Sequence, residues 1–207
     1  MGRKIAIAII AGLFAFQTAG AQNLTDLLKL FGFGSSDTTE QAAESAEAAK
    51  TPELTSERLL GVWRYVEPAS RYDGNDMLGS VGFKAMQAVL PAMYAKAGLS
   101  DGSARITFSA PDVASGEIGK YKVTGRYTFT PEDGSMSVSA TVGKASGVLH
   151  GTATLEDGVL TLLFDAAEAA AIVERVSAKA AANDNFKMMK SLLDSYPGVK
   201  LGCRMRR

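Results

Sequence analysis

The side chains able to do chemistry are few and scattered. The chain has one histidine, His150, and one cysteine, Cys203. His150 falls on the polar face of a run in which Leu149, Gly151, Ala153 and Leu155 alternate with Val148, His150, Thr152 and Thr154. As a base or metal ligand it needs partners. The sequence offers no His-x-His, Cys-x-x-Cys or His-Glu-x-x-His, and no glycine-rich phosphate loop after a strand. Ser-His-Asp catalysis would use this same histidine and needs a strained nucleophile turn, which is not visible either. An exposed structural histidine is expected. Cys203 alternates with Val199, Leu201 and Met205, the pattern of a buried strand face, and reads as an inert thiol that behaves as a small hydrophobe. The carboxylates Glu168 and Glu174 on a helix surface, and Asp101, Asp133 and Asp157 in turns, read as solvated. The expectation is a non-catalytic protein without metal or cofactor.

The chemistry that remains is apolar contact, and it depends on the elements that carry it. Thr55 is a helix N-cap candidate, Ser56 to Leu60 make one turn, and Gly61 stops it. Trp63, the single tryptophan, and Tyr65 then share one face of a strand that Pro68 is expected to end. Leu78, Val81, Gly82, Ala85, Met86, Val89, Leu90, Met93, Tyr94 and Ala97 recur at three- and four-residue steps, the stripe of an amphipathic helix packed on a core. Pro91 predicts a kink or break in it.

From Ala104 strands dominate. Ile106 and Phe108 share a face, as do Tyr121, Val123, Gly125, Tyr127 and Phe129, then Met136, Val138, Ala140 and Val142, and finally Leu160, Leu162 and Phe164. Pro131-Glu132-Asp133-Gly134 and Glu156-Asp157-Gly158 supply turns. Strands one hairpin apart predict an antiparallel meander. A helix is expected over about 166–182, broken at Asn183-Asp184-Asn185, then a shorter helix with Phe186, Met189, Leu193 and Tyr196, and a last strand after Pro197-Gly198. The outward faces are serine, threonine and charge, the reverse of a membrane-spanning barrel. A closed or strongly curved sheet with an apolar interior is favoured, and Gly125 and Gly151 suit its bends.

Outside this core, residues 1–21 read as a signal peptide: Arg3 and Lys4, an apolar run from Ile5 to Phe16, then Ala19-Gly20-Ala21. Residues 22–53 read as a flexible N-terminal segment and tether, apolar over 22–34 and then acidic and polar. Residues 54–207 form the domain. Export to the periplasm or cell envelope is expected. Without Arg3 and Lys4 the balance of basic and acidic residues leaves a net charge near −2, which gives no footprint for nucleic acid.

The helical turn followed by Gly61-Val-Trp63, together with "LLGVWRYVEPA", the long helix, "GRYTFT" and the closing "DSYPGVKLGCRMRR", resembles an uncharacterised lipocalin-like (calycin-type) family of secreted bacterial proteins. The resemblance spans roughly residues 54–207. It implies an α+β, mainly antiparallel β fold: a lipocalin-like meander barrel with a helical insert after strand 1 and helices before the last strand. The insert's position is similar to that of the helical lid of fatty-acid-binding proteins. The resemblance also implies that Trp63 lies near the closed end beneath an arginine from near the last strand. Arg204, Arg206 and Arg207 are the candidates, with Arg204 or Arg206 favoured.

Two functions fit such a barrel. One is binding of a small apolar molecule by the inward groups Tyr65, Phe108, Tyr127, Phe129, Met136, Val138, Leu162 and Phe164. The other is a cell-envelope structural or protein-interaction module, its barrel filled by those same side chains, with residues 22–34 meeting an envelope protein or membrane surface. A monomer is expected in either case. A cavity of several hundred Å³ beneath helix 77–97 would favour the first. A filled interior with an exposed apolar patch would favour the second.

Overall fold

The computed structural model describes residues 54–207 apart from 76, 97, 120, 143–144, 177–180 and 183, so the expected signal peptide and the segment 22–53 lie outside the described residues. Thr55 opens the folded chain: its hydroxyl accepts the Arg58 backbone N–H at 3.2 Å and starts a single turn, α1 (Ser56–Leu59). Gly61 takes φ +120°, which L side chains rarely adopt, and turns the chain into β1 (Gly61–Tyr72).

After β1 come α2 (Met77–Lys96), β2 (Ala104–Ser109), β3 (Val113–Ile118), β4 (Tyr121–Thr130), β5 (Ser135–Val142), β6 (Ala145–Glu156) and β7 (Val159–Asp165). The chain ends with α3 (Ala166–Val176), α4 (Asp184–Ser195) and β8 (Val199–Arg206). Each strand pairs antiparallel with the next, and β8 returns to β1, closing an eight-stranded barrel. The turns have a local cause. Gly134 sits at φ +69° while Asp133 Oδ1 accepts the Ser135 N–H at 2.8 Å. Asp157 and Gly158, at φ 49° and 77°, form the two-residue hairpin whose twist matches its strands.

Strands in such a ring run alternately up and down. The connections after β1, β3, β5 and β7 therefore leave at one end, and α2, α3 and α4 all belong to it. The other end holds α1, the connections after β2, β4 and β6, and Arg207.

That second end is closed. Trp63 is 1% exposed and its indole N–H donates to the Leu59 carbonyl at 2.8 Å. Arg207, rather than the favoured Arg204 or Arg206, lies over the ring, 4.9 Å from its centre. The same guanidinium donates to the carbonyls of Arg58 (2.7 Å) and Leu60 (3.1 Å) at the end of α1. Arg204 and Arg206 are held on the outward face of β8, where Arg204 bonds Glu67 at 2.7 Å. Arg207 lies past the strand and can fold back.

Three further expectations change. Pro68 does not end β1; it pairs with Cys203 and the strand runs on to Tyr72. The β1–β2 ladder stops at Arg64, so one side of β1 is an edge there, and an edge tolerates a residue without an N–H. The register with β8 shifts by one residue between Tyr65 and Glu67. The extra residue, Val66, moves the inward set from Trp63 and Tyr65 to Pro68, Ser70 and Tyr72. Pro91 lies inside the single helix α2, whose continuity is held by buried Leu90 and Tyr94 on either side of it. Finally, β3 has no counterpart among the expected strands. In the second helical region, α3 is described to Val176, and the expected stretch to Ala182 lies partly outside the described residues.

Candidate functional site

Among the described residues the interior holds an almost wholly apolar cavity of about 120 Å³ beside α2. It exists where side chains stop short. Ala104, Ala114, Gly116, Gly125 and Gly147 line it from β2, β3, β4 and β6, and none extends beyond Cβ. Ala114, Gly125, Ala140 and Gly147 stand in one cross-strand row. Bulk comes from β1, β7, β8 and α2: Tyr65, Leu162, Phe164, Met205 and Tyr94. Gly147 is small for a second reason, since a Cβ there would come within 2.6 Å of Ile172 on α3.

The roof is fixed by a helix end. Gly98, at φ 83°, donates to the Ala95 carbonyl and Leu99 to the Tyr94 carbonyl, both at 2.9 Å, the two bonds of a Schellman motif. This turn brings Leu99 back onto the cavity next to Tyr94. The Tyr94 hydroxyl donates to the Gly202 carbonyl at 2.9 Å and pins α2 to β8. Gly202 admits no larger residue, because a Cβ would lie 1.8 Å from the Leu162 carbonyl oxygen. Tyr94 also stacks on Tyr65, ring centres 6.2 Å apart and planes 20° apart.

Of the residues expected to contact a ligand, the barrel brings Tyr65, Phe108, Val138, Leu162 and Phe164 to the cavity. Tyr127 and Met136 are buried and Phe129 is partly buried, but all three pack away from it, toward the closed end. Tyr127 meets Phe108 edge-on at 5.0 Å. Tyr94, Leu99 and the small-residue wall were not among the expected contacts. The sequence places Tyr94 in the helical stripe and gives Gly125 the role of a bend. The signal for the wall was the run of small residues at inward positions of β3 to β6.

Charge stays outside. Among the described residues no charged side chain is buried. Arg105 pairs with Glu117 on the outer face, and Lys122 bonds Glu117 at 2.6 Å, along a cross-strand row. Burial, helped by nearby Cys203 and Glu67, pushes the Tyr65 phenol well above its ordinary range, so it stays protonated. Burial likewise pushes the Cys203 thiol up to about 12. Cys203 lines the cavity as a neutral thiol, not as a nucleophile.

His150 lies on the outer face of β6, away from the cavity. Its Nδ1 is 2.9 and 3.1 Å from the two Glu168 oxygens, and its backbone N–H donates to Glu168 Oε2 at 2.8 Å. Asp165 caps α3 by accepting the Glu168 N–H at 2.8 Å. Glu168 is thus a tie between α3 and β6 rather than a freely solvated group. Among the described residues no group of three His, Cys, Asp or Glu is placed to hold a metal.

An eight-stranded antiparallel ring with Gly-x-Trp at its closed end is the architecture the sequence resemblance implied, and residues 32–207 match the family described as Lipocalin-like domain (DUF4923). The chain belongs to this lipocalin-like family. A DUF4847 family protein from Bacteroides vulgatus ATCC 8482 is similar in structure at 11% identity, over 72% of this chain and 92% of that one, with a TM-score of 0.32. No match is found among the curated proteins.

Proposed function

We propose that this lipocalin-like domain is a non-catalytic binding protein for a small, uncharged apolar molecule held inside the barrel beside α2. The observation that supports it best is the cavity: about 120 Å³, apolar, and framed by alanines and glycines. That is smaller than the several hundred Å³ expected of a binding barrel and below the roughly 300–1,000 Å³ of drug-sized sites, because Tyr65, Leu162, Phe164, Met205 and Tyr94 fill much of the interior, so the ligand it supports is correspondingly small. Apolar cavities of about 150 Å³ stay dry and admit a molecule of benzene's size. A single ring or a short branched chain therefore suits it, and a long acyl chain does not.

The proposal includes export through residues 1–21 to the periplasm or envelope, and a monomeric domain with residues 22–34 free to meet an envelope protein or membrane surface. The alternative, an interaction module with a filled barrel, has less support. Val62 and Val148 are the large apolar side chains left exposed among the described residues, and they stand apart, on β1 and β6.

Native mass spectrometry of the protein purified from its own host should show a stoichiometric small molecule. Ala114→Leu, which extends a side chain into the cavity, should leave the fold intact and remove that molecule. A protein that carries nothing from its host and takes up no ring-sized hydrocarbon in titration would overturn the binding reading. Edman sequencing of the exported protein should begin at Gln22.

A further inference from the structure

We infer that the Tyr65 hydroxyl is the polar anchor of the cavity, and that its ligand is a neutral, ring-sized molecule bearing one hydrogen-bonding oxygen or nitrogen. This rests on the binding reading above and narrows it.

The two stacked tyrosines at the cavity are not equivalent. The Tyr94 hydroxyl spends its proton on the Gly202 carbonyl. Tyr65 is 3% exposed, lines the cavity, and has no hydrogen bond to its hydroxyl among the described residues. Every described side-chain nitrogen or oxygen fully shut off from open space does have a partner. The Tyr65 oxygen therefore keeps some open surface, and in a residue this buried the space available to it is the cavity. A buried polar group without a partner costs about 1–3 kcal/mol. A ligand that supplied the partner would recover that cost, and a plain hydrocarbon would not.

The rest of the wall sets the remaining terms. No charged side chain is buried among the described residues, and the nearest lining cation, Arg105, is held outside by Glu117. An anion would enter without a counter-charge, so the ligand is neutral. The Tyr65 hydroxyl can donate or accept, so one neutral oxygen or nitrogen on the ligand satisfies it. The cavity's size limits the remainder to about one ring.

The test uses the full chain and two near-isosteric probes, toluene and phenol, titrated by NMR at neutral pH. Both should bind the wild type. Tyr65→Phe should weaken phenol about tenfold relative to toluene, the shift expected for one hydrogen bond in a shielded site. Comparing the two probes in both proteins cancels their different hydration. Tyr65→Phe preserves the ring and its stacking, and its folding is checked in the same spectra. In addition, the wild-type Tyr65 ring carbon bearing the hydroxyl should shift further with phenol than with toluene. If both probes bind and Tyr65→Phe leaves their ratio unchanged, the anchor is overturned while the binding reading stands. If neither probe binds folded wild-type protein, the binding reading falls and takes the anchor with it.

Discussion

At one end of the barrel Trp63 has every contact it can make. Its N–H is bonded to Leu59, its ring lies under Arg207, and Leu59 and Leu160 are fully buried. Toward the helical end the same inward alternation arrives at Ala104, Gly116 and Gly147, and the space stays open beneath Tyr94 and Leu99. Both ends obey one rule of strand geometry. They differ in side-chain volume, and that difference separates a part of the molecule that holds the fold from a part that is free to hold something else.

The largest effect should come from emptying the closed end. Trp63→Ala should cost about 3–5 kcal/mol in denaturant unfolding, the range for deleting a large buried side chain. A midpoint close to wild type would erase the contrast between the ends. Tyr94→Phe leaves the Gly202 carbonyl without this partner and should cost about 1 kcal/mol. Because Tyr94 joins α2 to β8, it should also speed hydrogen exchange in α2 more than at the closed end. Uniform exchange across the barrel would show that α2 is not an independently held roof.

Arg207→Ala should cost about 0.5–1 kcal/mol, as expected for an exposed guanidinium on an aromatic face, read as a small fall in thermal midpoint. The last effect is absent at neutral pH, where the thiol is protonated in both states, and appears only in alkali. The folded Cys203 thiol has its pKa raised to about 12, so the folded state keeps a proton that the unfolded chain gives up near its ordinary value of about 8.5. Stability from this group is complete below that value and falls as pH rises toward 12. Between pH 8 and 10, iodoacetamide should alkylate the folded protein slowly and without the acceleration seen in the unfolded chain. Cys203→Ala should remove this part of the alkaline loss of stability.

Much of this architecture could be read from residue order. Period-two runs located seven strands, Thr55 and Gly61 bounded α1, and the Pro131 and Asp157 turns fell where expected. The eighth strand, β3, escaped because its inward residues begin with Ala114 and Gly116, which are too small to show an apolar alternation. The same smallness makes the cavity, so one cause hid both. Parity placed Tyr127 and Met136 correctly inside, but parity carries no height along the barrel axis, and they fill the closed half instead of the site. Val66 was invisible as a bulge, because a one-residue slip appears only against the partner strand. The resemblance favours Arg204 or Arg206 as the arginine over Trp63, but β8 holds both outward, and Arg207, past the strand, reaches the ring.

The wall of alanines and glycines has a consequence for how such a site can change. A pocket carved by missing atoms can be resized one methyl at a time, at Ala104, Ala114 or Gly116, with the Trp63 end untouched. On the binding reading proposed above, a few substitutions in β2 and β3 would change which molecule fits, the way a lock is recut without rebuilding the door.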